Sequence, residues 1–422
     1  MKCKVEKSKI TGQIICPSNK SYTHRAIFLA SLAGNNSKVD NALLSADTAA
    51  TIDACKKFGA VIKTQNSTII AENPIKLDVN VPEINTENSG TTIRIASGIA
   101  SLFSNEITLT GDESLQKRPM QPLLDALESI GAQCDSTDGK PPIKIKGKIL
   151  GGNVSIPGNL SSQFVSALLI SAPLTEKGIN LTIEGNLVSK PYLDATIATM
   201  RKFGVTVQTL IPYKKYNITP QIYKSATFTV PIDFSSLGLL LSAVVLNGED
   251  VIIKGNLGDL PQGDEVFLDI LEQLGVSVTI NDDEIKIKSP EKLNGGKFDL
   301  SNSPDLLPPL AILALKTTAP IEITNVKHAR LKETDRIAII SREMVKLGIK
   351  VQEKEDGLIL ESTEEQKGAE LISENDHRLF MAFCIAGMHV GNCTVTDPES
   401  VNVSYPNFVE EMNRIGAKLE IQ

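Results

Sequence analysis

Hydroxyls, cations and a few carboxylates gather at recurring points of this 422-residue chain, each at the mouth of an apolar stretch. Lys20-Ser21 lead into one that carries His24-Arg25. Asn88-Ser89-Gly90 lead into another that carries Arg94. Ser161-Ser162-Gln163 and Asp376-His377-Arg378 open two more. Backbone N–H groups left over at a helix start, together with the positive end of the helix dipole, favour an anion there. One such terminus contributes only about 0.3–1 kcal/mol, whereas micromolar affinity needs about 8 kcal/mol. Charge-assisted hydrogen bonds add about 1.5–3 kcal/mol each. A small, multiply charged ligand therefore needs several cations at once, and Lys20, Arg25, Arg118, Lys332, Arg336 and Arg378 are the candidates.

The segment KHARLKETDRI, residues 327–337, is the densest charged stretch beside an apolar run. Lys332, Glu333 and Arg336 are spaced to share one side of a helix start, although a solvated charged face has the same pattern. Asp305, between Pro304 and a run of Leu and Pro, either caps a helix or takes a proton from a bound hydroxyl. Other chemistries find less support. The four histidines show neither HxxxH nor HExxH spacing, and neither GxxxxGK[ST] nor GxGxxG occurs. A metal site is not expected.

The elements that hold these residues repeat. An amphipathic stretch ending in Gly and followed by alternating apolar residues occurs six times, at Gly59, Gly131, Gly204, Gly275, Gly348 and Gly416. The intervals are 72, 73, 71, 73 and 68 residues. Gly at that point suits a left-handed helix C-cap before a strand. Interleaved with these, six stretches apolar on nearly every face open near Thr23, Thr91, Ser161, Ser235, Asp305 and Asp376. A helix of that kind must lie inside its domain. The chain is therefore expected to be α/β, with about 70 residues per unit, each unit pairing a buried helix with an amphipathic surface helix and short strands. A strand-like run and a Pro near residue 231 divide the units three and three: 18–231 form one domain, and 1–17 with 232–422 form the other. The strand before Cys16 is expected to complete the sixth unit.

Acidic residues outnumber basic ones, 50 to 43. That excess argues against a nucleic-acid or membrane-surface binder. The first residues show no apolar targeting segment, and the longest uncharged apolar stretch, 237–246, is too short to span a bilayer. Six scattered cysteines without a CxxC pair read as reduced thiols of a cytoplasmic protein.

The motifs PSNKSYTHR, NSGTTIR, GDESLQKRPM, SSQFVSALL, SKPYLDAT, QGDEVFLDIL, RLKETDR, DHRLFMAF and SYPNF, spread over residues 17–408, together resemble the 5-enolpyruvylshikimate-3-phosphate (EPSP) synthase family. The resemblance implies an enolpyruvyl transferase-like fold of two similar domains, each of three βαβαββ-type repeats with buried parallel helices, an inside-out α/β barrel. It implies transfer of the enolpyruvyl group of phosphoenolpyruvate to the 5-hydroxyl of shikimate 3-phosphate, without metal or organic cofactor, on the route to chorismate and the aromatic amino acids. Carried over, Lys20, Ser21, Arg25, Ser161, Ser162, Gln163, Ser189, Tyr192, Asp305 and Lys332 hold shikimate 3-phosphate. Lys20, Gly90, Arg118, Gln163, Arg336 and Arg378 hold phosphoenolpyruvate. Asp305 is similar to the base at the attacking hydroxyl. Glu333, with Lys20, is similar to the group that moves a proton at the methylene carbon. The ligands then come from both domains, and shikimate 3-phosphate is expected to draw them together. The two small molecules are the only partners implied, and a monomer is expected.

One position departs from the family. Val403 stands where a Lys normally precedes the aromatic-Pro pair of the last motif, which predicts weaker phosphoenolpyruvate binding or compensation by Lys117 or Asn402. It also leaves room for an inactive relative. The related transferase acting on UDP-N-acetylglucosamine carries a Cys in the loop that is Glu113–Pro119 here, and this loop has none. A ring clamp around DNA requires basic helix faces, and LGLLLSAVVL offers none.

Overall fold

The computed structural model describes residues 1–422. It divides into one compact unit of Met1–Pro17, Ile232–Gly258 and Gly263–Gln422 and another of Ser18–Pro231 with Asp259–Gln262. They are called here the 232–422 unit and the 18–231 unit. Each has its own apolar core.

Twelve α-helices alternate between two kinds. In the 18–231 unit they are α1 (Lys20–Ala33), α2 (Ala46–Lys57), α3 (Gly90–Ala100), α4 (Gln121–Glu128), α5 (Ser162–Ser171) and α6 (Lys190–Lys202). In the 232–422 unit they are α7 (Phe234–Asn247), α8 (Val266–Gln273), α9 (Leu307–Leu313), α10 (Arg336–Lys346), α11 (His377–Val390) and α12 (Phe408–Arg414). The odd-numbered helices are the apolar ones; every residue of α3, α7 and α9 is buried. The even-numbered helices keep a polar face outward. None of the helices is long and apolar enough to cross a membrane.

All six surface helices end alike. The repeated glycines have φ between +80° and +116°. Behind each, the next N–H reaches back five residues, as in Ala60 N to Cys55 O (3.1 Å) and Val276 N to Leu271 O (2.9 Å). This is the Schellman closure, and it needs a left-handed residue that only Gly adopts without strain.

Each repeat runs strand, core helix, strand, surface helix, hairpin, and gives one four-stranded sheet; there are six such sheets. The first two strands are parallel, because a helix connects them, and the hairpin is antiparallel. Gly152–Pro157 beside Ile179–Glu184 is an example, with Tyr216 opposite Leu181 on the hairpin. Alternating burial, as in Lys140–Lys146, turns one sheet face to the helices and the other to solvent.

Each unit is closed by a strand from a distant part of the chain. Thr227–Thr229 pairs in parallel with Ser37–Asp40 and supplies the first strand of the first repeat. The N-terminal segment contributes two strands rather than the single one expected. The sixth sheet is completed by Lys2–Val5, between Cys393–Thr396 and Leu419–Ile421, and not by the strand just before Cys16: Ile10–Ile15 lies parallel to Gly248–Lys254 and opens the fourth.

Some helix starts differ from expectation. The first core helix begins at Lys20, not near Thr23, because the Asn19 side chain accepts from Tyr22 N at 2.7 Å while Thr23 Oγ1 bonds back to Asn19 O. The fifth opens at Leu307 after a 3-10 turn, Pro304–Leu306, and has no side-chain cap. Pro308 and Pro309 lack the N–H groups that a cap would serve. The six cysteines are free thiols, and all but Cys134 are buried.

Candidate functional site

In the 18–231 unit, side-chain hydrogen bonds stitch the starts of the core helices together. His24 Nδ1 is 2.6 Å from Thr51 Oγ1, which is 2.7 Å from Thr92 Oγ1, which is 2.7 Å from the cap hydroxyl of Ser89. That chain joins α1, α2 and α3. On the other side, Arg25 Nε donates to Thr196 Oγ1 (2.7 Å), itself 2.8 Å from Ser166 Oγ, whose hydroxyl also bonds the carbonyl of Ser162. That chain joins α1, α6 and α5.

Arg25 is fully buried. Its two terminal nitrogens donate to the carbonyls of Ser21 (2.9 Å) and Tyr192 (3.1 Å). Its hydrogen-bond partners are neutral, and burial pulls its pKa down to about 10. The guanidinium thus fixes the first turn of α6, which follows Ser189 in a left-handed conformation (φ +54°), and leaves its positive charge uncompensated by those bonds. Lys20, at the first position of α1, lies 3.1 Å from Asp47 Oδ2, with side chains 13% and 8% exposed.

At the start of α3 two guanidinium groups converge. A Cβ added to Gly90 would lie 3.0 Å from Arg118 Nη1 and 3.2 Å from Arg94 Nη1. Arg118 Nη2 donates to Asn88 Oδ1 (2.8 Å) and Ser114 Oγ (3.2 Å), while its buried Nε has no partner. Arg94 Nη1 donates to Gln163 Oε1, Gln163 Nε2 donates to Thr91 Oγ1 (2.9 Å), and the Arg94 guanidinium carbon sits 5.2 Å above the Phe164 ring. Gln163 therefore couples the start of α5, capped by Ser161, to that of α3. Two buried cations at the positive end of a helix dipole repel one another, and a bound anion relieves that repulsion. Arg94 belongs to this cluster although it is absent from the expected ligand set; its place four residues after Gly90, in the second helical turn, was the available signal.

In the 232–422 unit, Asp305, Lys332, Glu333, Arg336 and Arg378 come together as one cluster. Arg336, fully buried, reaches Asp305 Oδ1 through Nη1 (2.7 Å), Glu333 Oε2 through Nη2 (2.7 Å) and Asp376 Oδ2 through Nε (2.7 Å). Burial disfavours its charge, but Asp376, Glu333 and Asp305 outweigh that and raise its pKa. Asp305 also lies 3.3 Å from Arg378 Nη2 and 3.5 Å from Lys332 Nζ. Burial pushes its carboxyl up, yet Arg378, Lys332 and Arg336 prevail and hold it well below the usual carboxylate range.

Two expectations about this region change. Lys332 and Glu333 are not on a helix; they lie between the 3-10 turn Lys327–Leu331 and α10, whose first residue is Arg336. Arg330 pins that connection through Nη1, which reaches both carboxylate oxygens of Asp335 (3.0 and 2.8 Å), and through Nη2, which donates to Glu353 (2.8 Å). Asp305 does not cap a helix, because its oxygens are committed to cations. Asp376, overlooked as a member of the cluster, caps α11 through the N–H groups of Arg378 (2.9 Å) and Leu379 (3.4 Å) and holds Arg336 as well. Val403 ends the 3-10 turn Pro398–Val403 and is half-buried. Lys117 and Asn402 are exposed.

A family model described as EPSP synthase (3-phosphoshikimate 1-carboxyvinyltransferase) matches residues 5–412. The chain is 83% identical over 420 residues to the 3-phosphoshikimate 1-carboxyvinyltransferase of Nitrosopumilus maritimus (strain SCM1), with 100% of each chain covered. It is 40% identical to the protein of the same name from Methanothermobacter thermautotrophicus, with 99% of each covered. Among solved structures it is similar to the EPSP synthase of Acinetobacter baumannii, with a TM-score of 0.83, 25% identity and coverage of 100% and 99%. The enolpyruvyl transferase NikO of Streptomyces tendae, at 17% identity and TM-score 0.77 over 99% and 98% of the two chains, shares the fold. With its six repeats, its two arginine-rich clusters and a match that runs nearly end to end, this chain belongs to the EPSP synthase family.

Proposed function

We propose that this chain transfers the enolpyruvyl group of phosphoenolpyruvate to the 5-hydroxyl of shikimate 3-phosphate, releasing phosphate. The observation that carries this reading is the seating of Asp305 and Glu333 on one buried guanidinium, that of Arg336, with Arg378 and Lys332 beside Asp305. Two carboxylates and several cations are what an addition–elimination between two anions requires.

In the first step a proton adds to the methylene carbon of phosphoenolpyruvate and leaves C2 cationic. The 5-hydroxyl oxygen bonds to C2 and its proton passes to Asp305. In the second step the tetrahedral intermediate loses phosphate while a methyl proton is taken back, restoring the alkene. Glu333, with Lys20, moves the proton at carbon. Lys20, Ser21, Arg25, Ser161, Ser162, Gln163, Ser189, Tyr192, Asp305 and Lys332 hold shikimate 3-phosphate. Lys20, Gly90, Arg118, Gln163, Arg336 and Arg378 hold phosphoenolpyruvate, and the Arg94 geometry adds that residue to the set. Arg suits both anions because its fork binds carboxylate and phosphate in two-point contact. Every step is a proton transfer, an addition or an elimination, so side chains suffice for it.

The cluster geometry also supports a trigger. With Arg336, Arg378 and Lys332 on it, Asp305 is too weak a base to accept a hydroxyl proton. An anion that takes Arg336 and Arg378 removes part of that stabilisation and raises the proton affinity of Asp305 as the substrates assemble. The chain acts in the cytoplasm as a monomer. The deciding test is phosphate release: it is expected only when both substrates are supplied, and release from either alone, or none from the pair, refutes the assignment.

A further inference from the structure

Asp264 belongs to the QGD stretch, which none of the roles above uses. It sits in the 3-10 turn Gly263–Glu265, just ahead of α8, with 4% of its surface exposed. Ser303 Oγ donates to Gly263 O at 2.8 Å, tying this turn to the one that carries Asp305. Ser235 Oγ, at the start of α7, donates to Asp264 Oδ2, and Asp264 Oδ1 is buried without a hydrogen-bond partner. The charged groups facing it are Asp305, Arg378 of α11 and Asp233, the cap of α7; Glu265 follows on its own turn.

The carboxylates of this region are unequally served. Asp305 has three cations and Asp376 has Arg336 together with two backbone N–H groups. The one hydrogen bond to Asp264 comes from a neutral hydroxyl. A buried, ionised carboxylate with one oxygen unbonded is costly, and a neutral carboxyl far less so. Burial, reinforced by the charge of Asp305, pushes the Asp264 carboxyl up to about 7, with the Ser235 bond and Arg378 acting against the rise.

We propose that Asp264 is a positioning residue for the transfer reaction: it carries a proton beside Asp305, so that Arg378 faces one negative charge instead of two. This rests on the function proposed above. Once ionised, Asp264 competes with Asp305 for Arg378, draws that cation from the phosphoenolpyruvate anion and raises the proton affinity of Asp305 before substrate arrives.

The test is the pH profile of kcat/KM for phosphoenolpyruvate in the wild type, Asp264→Asn and Ser235→Ala. The wild type is expected to lose activity as pH rises above the Asp264 transition near 7, by about tenfold per unit once past it. Asp264→Asn imitates the protonated carboxyl at every pH, so its profile stays flat there. Ser235→Ala removes a donor that favours the ionised form and moves the fall to higher pH. A fall that persists unchanged in both variants overturns the role of Asp264 while leaving the function intact; a wild type that releases no phosphate overturns both. Thermal unfolding supplies a readout without substrate. A native carboxyl that keeps its proton between about pH 4 and 7 makes the wild type lose stability as pH rises through that window. The melting temperature of Asp264→Asn is therefore expected to gain on the wild type by several degrees from pH 5 to 8. A constant difference overturns the proposal.

Discussion

Arg336 Nη1 lies 2.7 Å from Asp305 Oδ1, and the same guanidinium holds Glu333 and Asp376, so one buried cation orients every carboxylate of the proposed chemistry in its unit. Its burial explains the need for three partners. The three carboxylates offset the solvation that a buried guanidinium loses, and without it they would repel one another.

Removing the hub is therefore expected to harm the fold as well as the chemistry. Arg336→Ala leaves the fully buried Asp376 without its cation and should lower unfolding free energy by about 3–5 kcal/mol. Urea denaturation reads this, and a loss below about 1 kcal/mol contradicts the arrangement.

Asp305→Asn and Glu333→Gln keep the shape of each side chain and remove its basicity. Each is expected to lower kcat by about 10²–10⁴-fold, with the folded state retained and shikimate 3-phosphate still bound by calorimetry. A variant with kcat within threefold of the wild type is not the proton carrier assigned here.

Gly90→Ala places a methyl 3.0 Å from Arg118 Nη1 and 3.2 Å from Arg94 Nη1. Both contacts are to the far ends of flexible side chains, so the fold should tolerate the change and the guanidinium groups should shift. Loss of one charge-assisted hydrogen bond, about 1.5–3 kcal/mol, is expected to raise KM for phosphoenolpyruvate by about one to two orders of magnitude. An unmoved KM would show that the two cations do not meet that substrate at Gly90.

Burial, with Lys332 nearby, pulls the imidazole of His328 down to about 4, although Asp305 acts the other way. The native protein keeps His328 neutral while the unfolded chain protonates it near 6.5. Its contribution is thus present above about pH 6.5 and lost as pH falls toward 4, about 3 kcal/mol in all. His328→Asn should flatten the pH dependence of unfolding across that window, and a slope equal to that of the wild type removes His328 as its source.

Val403→Lys restores a cation at the end of the Pro398–Val403 turn. Because Val403 is only half-buried, the longer chain can reach solvent with its charge. The KM for phosphoenolpyruvate should fall severalfold; no fall means that the missing charge is supplied by other residues or is not needed.

The period of about 70 residues, the alternation of buried and surface helices and the six glycine closures were legible from residue order, because each rests on interactions within one turn or one helix. Gly275 needs only its own φ, with its N–H on Glu272 O and the next N–H, of Val276, on Leu271 O, to end α8. Asp376 caps α11 through N–H groups two and three residues away. Long-range partnerships were not legible in the same way. Thr227–Thr229 pairs with Ser37–Asp40, and Ile10–Ile15 with Gly248–Lys254, because closing each unit leaves one sheet short of a strand that the local pattern does not supply. Lys332 and Glu333 fall on a loop, since the capping of α10 by Asp335 starts that helix one residue beyond the cap. Arg25 looked like a free cation, yet the folded chain brings Thr196 and Tyr192 to it. A side chain's type and its neighbours in sequence set what it can bond; which partner it meets depends on the chain's return from tens of residues away, as for Arg336 and Asp376, or from more than a hundred, as for Arg25 and Thr196, and only the packed molecule contains that.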